Sequence, residues 1–506
     1  MSYQAGPNPI DDLVQYKKAV LRDDRRDTRI RGSIEATLEF FKTKTSAPPL
    51  PPPPPFASRS ASPTHGPSGL ANTMSYPQIS RPMVVQLPGA FNNEYNDMEK
   101  DPSRFNDYKG EKIDIEAKPA EKHHDDHHGI SPGPHTLKER LKHFTFSWYA
   151  FTMATGGTAL TLSVVPNRFS GLTGLGTFMF LLNIFFFICV TSAMVTRFIV
   201  YPEIFVSCFT NFHEGVFSAT FWLTCATMIT NTVAYGIPNT GPWLIEALRI
   251  AFWIYTTCAT LHAIIYYQII FVNQQLKITN VLPGWVLPMF PAMLVGTLAG
   301  AIAKTQPPEH AYPMLVAGLS YQGFGFFMAL FMYPLYFGRL LTSGIPAYLS
   351  RPAMFIAVGP PAFTALAFIN MAQDVQATKI FDGYTKLQGV ANQALISDLF
   401  SIMALVMAIF LWVLAFWFFV MAFIAMIDGI PHNDFHLNWY AKVFPNVGFT
   451  IATIKIGERL DSPAIMLTGT GMAAVLFFSW CLVFFCHIKA FFGHMICWPG
   501  RDEDAH

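Results

Sequence analysis

Charge is what this sequence has little of, and the shortage is uneven. Only 13% of its 506 residues are Asp, Glu, Lys or Arg, against about 25% in an ordinary soluble domain. Residues 1–142 hold 20 of the 34 Lys and Arg and 19 of the 33 Asp and Glu. The rest of the chain keeps 14 of each sign, roughly 8% of its length and too few to clothe a water-facing surface. A lipid-facing surface needs none, because hydrocarbon penalises every charge placed in it. Other absences narrow the class. The net charge is +1 and no basic patch with interleaved aromatics is present, which excludes a nucleic-acid partner. The seven Cys, at 189, 208, 225, 258, 481, 486 and 497, form no C-x-x-C pair. Neither a zinc site nor a disulfide framework is indicated, and most of these thiols read as apolar packing. The first residues lack the apolar core of a signal peptide.

Residues 1–137 read as a disordered cytosolic region. Pro48 to Pro55 is a proline tract broken only by Leu50, and Ser, Asn, Asp, Gly and Pro dominate the chain beyond it. Such a stretch buries too little apolar surface to offset its ordering entropy. The tract suits a proline-binding partner domain. Asp11 to Lys44 is compatible with a charged helix whose Asp23-Asp24-Arg25-Arg26-Asp27 run is solvated. His123-His124-Asp125-Asp126-His127-His128 reads as a polar tract, so no metal and no cofactor are expected.

Residues 138–491 are different. Apolar runs of bilayer-spanning length, about 20 residues each, fall at 144–165, 174–198, 217–236, 243–272, 285–303, 310–338, 352–373, 394–427, 436–456 and 463–491. The runs at 243–272, 310–338 and 394–427 are long enough to hide a break or to tilt. The expectation is an all-α integral membrane protein with ten transmembrane helices and a short tail, 492–506. An even count puts both termini on one side. That side carries about nine flanking or loop Lys and Arg, including Lys138, Arg140, Lys142, Arg339 and Arg351. The other carries about six, including Arg168, Lys304 and Arg459, which favours cytosolic termini.

Helix breakers are also uneven. The first, fifth, seventh and ninth runs carry Gly156-Gly157, Pro288 with Pro291 and Gly296, Gly359-Pro360-Pro361, and Pro445 with Gly448 near their middles. The sixth run departs with Gly318, Gly323 and Gly325, and the third is instead rich in Thr224, Thr227, Thr230, Asn231 and Thr232. Freed backbone is tolerated at membrane depth only when buried in protein or lining a watery cavity. The odd runs therefore form an inner ring and the even runs an outer one. The odd runs begin roughly 67 to 84 residues apart, a loose repeat of helical hairpins. Five hairpins around a centre suggest a central pore; a poreless bundle packed on Gly and Pro is the alternative.

Four motifs are more specific. The first run reads His143-Phe-Thr-Phe-Ser-Trp-Tyr-Ala-Phe-Thr-Met-Ala-Thr-Gly-Gly157, followed by Pro166-Asn-Arg168-Phe. The fifth opens Trp285-Val-Leu-Pro-Met-Phe-Pro-Ala-Met-Leu-Val-Gly-Thr-Leu298. The seventh opens Arg351-Pro-Ala-Met-Phe-Ile-Ala-Val-Gly-Pro-Pro361, and the ninth Asn438-Trp-Tyr-Ala-Lys-Val-Phe-Pro-Asn-Val-Gly-Phe449. In this order, over residues 138–490, they resemble the tellurite-resistance/dicarboxylate transporter family, which includes the plant slow anion channels. Within it they look most like the fungal malic acid transport proteins. The resemblance implies ten helices as five hairpins, an inner ring of odd helices, a homotrimer with one pore per subunit, and a phenylalanine plug in the ninth helix. Here that residue is Phe444. Two positions depart from the pattern: Ala154 stands where many relatives have Gly or Ser, and Lys442 where an uncharged residue is expected.

The implied cargo is a small anion, malate or another C4-dicarboxylate, with sulfite or another inorganic anion as the alternative. A pore stabilises anions with hydroxyls, backbone N–H groups and helix ends. The pore-lining candidates are Thr155, Gly156, Thr158, Thr227, Pro291, Thr297, Gly359, Pro360, Thr364 and Pro445. Each Thr has a competing fate, a hydroxyl bonded to its own helix. Lys455 lies 11 residues past Phe444, about 20° from the same helical face and roughly 16 Å along. It attracts anions at the pore mouth unless it pairs with Glu458 at i+3. Lys442 lies about 200° from Phe444 and, in a regular helix, points away from the pore. An enzyme is not expected, because Arg249, Asp374 and Lys442 have no second acid, base or nucleophile at helical spacing. A receptor or scaffold acting through the proline tract would regulate the core rather than replace it.

Overall fold

A computed structural model describes residues 136–273, 276–390, 392–429 and 435–497, all within the unit from Asp125 to His506. The readings of the proline tract, the Asp11 to Lys44 helix, the His123 to His128 tract and the end of the tail lie outside the described residues.

Among the described residues the elements are all helices. The principal ones are α1 (Tyr149–Val164), α2 (Leu172–Val200), α3 (Ser218–Asn231), α4 (Trp243–Asn273), α5 (Phe290–Ile302), α6 (Pro308–Ser343), α7 (Gly359–Thr378), α8 (Ala394–Gly429), α9 (Phe444–Arg459) and α10 (Pro463–Phe492). The 3 runs long enough to hide a break do not: α4, α6 and α8 are continuous, α6 despite Pro313 and Pro334. By length and composition, 8 described helical stretches are apolar enough to cross a membrane. The chain is a multi-pass membrane protein. α1 and α9 are shorter, 16 residues each. With the 3₁₀ turns that lead into them, Phe146–Trp148 and Leu437–Lys442, each is roughly 30 Å or more in length.

Burial separates the helices into two sets. The spans built on α5 and α7 are 94% buried over their most apolar stretch, that of α8 only 17%. α1 and α9 are also buried along most of their lengths. The outer helices present large side chains such as Phe185, Ile264, Phe327, Phe410 and Phe478. Consecutive helices pair as hairpins: α1 with α2, α3 with α4, α5 with α6, α7 with α8, α9 with α10. The inner members pack in cyclic order, α1 on α3, α3 on α5, α5 on α7, α7 on α9 and α9 back on α1. The two-ring arrangement expected from the breakers is thus the observed packing, with α3 the least buried inner helix, its stretch 56% buried.

Within the inner runs the prolines mark where the α-helices begin. 3₁₀ turns at Pro283–Met289, Tyr348–Val358 and Leu437–Lys442 run straight into α5, α7 and α9, each with Pro at its first positions. Proline is tolerated there because the first N–H groups of a helix have no intrahelical partner. Carbonyls left over at these entries receive donors from the outer ring. Tyr267 donates to the Trp285 carbonyl at 3.2 Å, Tyr255 to that of Pro291 at 2.9 Å, and Tyr333 to that of Ala357 at 3.0 Å. Irregular backbone is thereby satisfied without water.

Two ion pairs hold loops to this frame. Arg197, at the end of α2, bonds both carboxylate oxygens of buried Glu214 and donates from Nε to the Lys142 carbonyl at 3.1 Å. Arg351 reaches Asp428 at 2.6 Å. The turn between α9 and α10 is short, with Asp461 at φ 48° and Ser462 capping α10 by accepting from the Ile465 N–H.

Candidate anion pathway

Every inner segment contributes to one small cavity of about 20 Å³, nearly closed by its own lining. Ala150 and Met153 come from α1, Thr220 and Leu223 from α3, Leu287 and Phe290 from the entry and start of α5. Ile356 precedes α7, and Asn438, Ala441, Phe444 and Pro445 span the entry and start of α9. No charged side chain is among the lining residues. Phe290 and Phe444 are also the first residues of α5 and α9. Two helix N-termini therefore open at this cavity, and their dipoles favour an anion without a fixed charge.

Phe444 is 3% exposed. Its ring stacks on Phe363 of α7, centroids 5.2 Å apart at 28°. Across the ring it meets Gly157, where a Cβ would lie 3.2 Å from Phe444 Cδ2 and 2.8 Å from Val447 Cγ2. Phe290 presses on Gly359 in the same manner, at 2.5 Å from Cζ to the place of a Cβ. Two of the rings that line the cavity, Phe444 and Phe290, are thus seated on glycines of neighbouring helices.

The other candidates differ in what they face. Pro445 lines the cavity beside Phe444. Gly156 turns away from it: a Cβ there would collide with Thr227 Oγ1 and lie 2.6 Å from Asn183 Nδ2. Gly157, one residue on, is the glycine that faces Phe444. Thr155 donates to the Phe151 carbonyl and accepts from Trp480 Nε1 of α10. Thr158 donates to Ala154 and Thr227 to Thr224. Thr364 donates to the carbonyl of Pro360 and accepts from Gln322. Each of these four hydroxyls has its proton committed to its own helix. Thr297 is the exception, buried with no partner for its Oγ1 among the described residues. It lies seven residues past Phe290 on α5, about two turns and the same face. The Pro291 carbonyl is held by Tyr255.

Lys455 bonds Glu458 at 2.7 Å, so its charge is paired. Lys442 is absent from the cavity lining, although it ends a 3₁₀ turn, where the regular-helix angle from Phe444 does not apply. Asp374 accepts from the Lys304 N–H at 3.1 Å. Among the described residues, no group of three or more His, Cys, Asp or Glu is placed to hold a metal.

Sequence reasoning missed Phe363, Phe290 and Gly157. With 47 Phe in the chain, nothing marks Phe363, which stacks on Phe444, or Phe290, which lines the same cavity. Gly157 was within reach, as the second half of a Gly pair opposite a motif that already singled out Phe444.

Comparison with known proteins identifies the relatives of this arrangement. Residues 143–488 match the voltage-dependent anion channel family model. The malic acid transport protein of Schizosaccharomyces pombe is 37% identical over 379 residues, covering 74% of this chain and 84% of that one. A putative malic acid transport protein of the same organism is 31% identical over 73% of this chain and 84% of its own length. A sulfite efflux pump of Trichophyton rubrum is 24% identical over 68% of this chain and 90% of the pump. The chain belongs to the voltage-dependent anion channel family, whose members are membrane anion transporters.

Proposed function

We propose that this family member carries malate and related C4-dicarboxylates along the axis of its inner ring, with Phe444 as the side chain that closes the path. One observation carries the reading. Phe444 begins α9 and lines a cavity to which every inner segment contributes. The cargo is supported by 37% identity to a malic acid transport protein, against 24% to a sulfite efflux pump.

An anion entering the cavity meets apolar walls and the positive ends of α5 and α9, so it is stabilised by dipoles rather than by a trapping charge. The stacked Phe444 and Phe363 rings exclude water and hence ions until they part. Beyond them, Thr297 offers a hydroxyl proton that no protein group takes. Thr158 and Thr364, with Gly359 and Pro360, line the same stretch. Thr155, Thr158, Thr227 and Thr364 contribute less, because an anion needs donors and their protons are already bonded. No bond of the cargo is made or broken.

In this reading α1 and α9 complete ten spans, the termini are cytosolic and the membrane is the plasma membrane. Residues 1–137 are a separate cytosolic region whose proline tract takes a partner domain. The chain assembles as a homotrimer with one path per subunit. The test is flux of labelled malate, sulfite and nitrate into proteoliposomes, with and without a pH gradient. Malate flux above protein-free vesicles is expected. Sulfite flux with no malate flux would transfer the function to inorganic anion export.

A further inference from the structure

α9 carries a second polar face that the ring does not use. Lys442, Asn446 and Thr450 succeed each other at four-residue spacing, and all line a crevice of about 330 Å³ between α8, α9 and α10. None of them borders the cavity at Phe444. The facing walls are mostly apolar, with Phe419 and Phe423 from α8 and Val475 and Leu476 from α10, Ser479 of α10 adding one hydroxyl. Phe423 and Val475 are also exposed on the outer surface, 44% and 69%, so the crevice opens toward lipid.

The polar wall is incompletely satisfied. Lys442 is only 9% exposed. The one partner of its ammonium among the described residues is the Trp439 ring, 4.5 Å from Nζ to the centroid. The described ion pairs use other cations. Asn446 donates from Nδ2 to the Lys442 carbonyl at 2.7 Å, while its Oδ1 is buried without a donor. An ammonium taken out of water with no counter-charge is strongly disfavoured, and a cation–π contact offsets only part of that cost. The wall therefore lacks an anion beside Lys442 and a hydrogen-bond donor beside Asn446. A small dicarboxylate would meet the first need but leave the apolar walls uncovered.

We infer that this crevice binds an anionic phospholipid, its phosphate on Lys442, a headgroup hydroxyl on Asn446 Oδ1 and an acyl chain between α8 and α10. The lipid holds the turn on which Phe444 stands, two residues from Lys442; that consequence rests on the gating role of Phe444, whereas the binding does not.

The test is native mass spectrometry of the full-length, detergent-purified protein titrated with phosphatidylinositol, phosphatidylcholine or malate. The wild type retains phosphatidylinositol at least tenfold more tightly than phosphatidylcholine. Lys442→Gln abolishes that preference. Val475→Trp fills the mouth of the crevice from an exposed position that tolerates bulk, and it also removes the tight phosphatidylinositol event. Equal retention of the two lipids by the wild type overturns the inference, as does an unchanged preference in both variants. Displacement of phosphatidylinositol by malate would give the site to a small dianion. A changed subunit stoichiometry in Val475→Trp with phosphatidylinositol still retained would give it to a second copy of the chain. Either result overturns the lipid assignment.

Discussion

Gly157 and Phe444 meet where α1 packs on its ring neighbour α9, with no room for a methyl group between them: a Cβ on Gly157 would stand 3.2 Å from Phe444 Cδ2 and 2.8 Å from Val447 Cγ2. The aromatic closure therefore depends on a missing side chain as much as on a present one.

Gly157→Ala overpacks this contact and lowers stability by about 1–3 kcal/mol. The check is thermal unfolding of the purified protein in detergent. Adding Phe444→Ala relieves part of the clash, so the two changes are non-additive. Strict additivity would mean that the rings do not bear on Gly157.

Phe444→Ala raises anion flux in protein that still reaches the membrane, as read by labelled-malate uptake. Phe363→Ala raises it less. Removing a stacked aromatic pair forfeits about 1 kcal/mol, worth roughly fivefold in the ratio of closed to open forms. Unchanged flux in both variants would remove Phe444 and Phe363 from the gate.

Lys455→Gln leaves flux within about twofold of wild type, because the amine is already paired with Glu458 and an exposed pair of this kind contributes little. Glu458→Gln frees that amine and raises flux at low ionic strength. The gain disappears near physiological salt, where the Debye length falls to about 8 Å. A large loss in Lys455→Gln would show instead that the amine serves the anion directly.

Arg197→Met leaves Glu214 buried and alone, at a cost of about 3–5 kcal/mol. Yield and melting temperature should fall sharply. Arg197→Met combined with Glu214→Leu should recover most of the loss, since an apolar pair of similar volume leaves no charge stranded.

The two rings were legible in the sequence because helix breakers mark the segments that lipid cannot bathe. Gly156-Gly157, Pro291, Gly359-Pro360 and Pro445 belong to inner elements, as their chemistry requires. The motif around Trp439 and Pro445 likewise singled out Phe444. The faces of the helices were not legible. In a soluble helix the polar face reveals the apolar one, but α8 is apolar all round, and lipid and protein interior select the same side chains. That is why Gly156 rather than Gly157 stands among the pore-lining candidates and why Phe363 is unmarked. The 3₁₀ entries escaped for a different reason. Proline signals that regular backbone stops, but not that the helix starts there rather than bends.

The tyrosine donors of the outer ring reach the entries of α5 and α7. Among the described residues none reaches the entry of α9, whose Lys442 carbonyl is served by Asn446 of the same helix. Further along, Trp412 of α8 donates to Thr453 at 2.8 Å. At the other end the Tyr440 hydroxyl meets His487 Nδ1 of α10 at 3.0 Å, so α9 is pinned to a different outer helix at each end. Phe444 stands just past the α10 pin, and any swing of its ring is a local hinge between two fixed points rather than a movement of the whole helix.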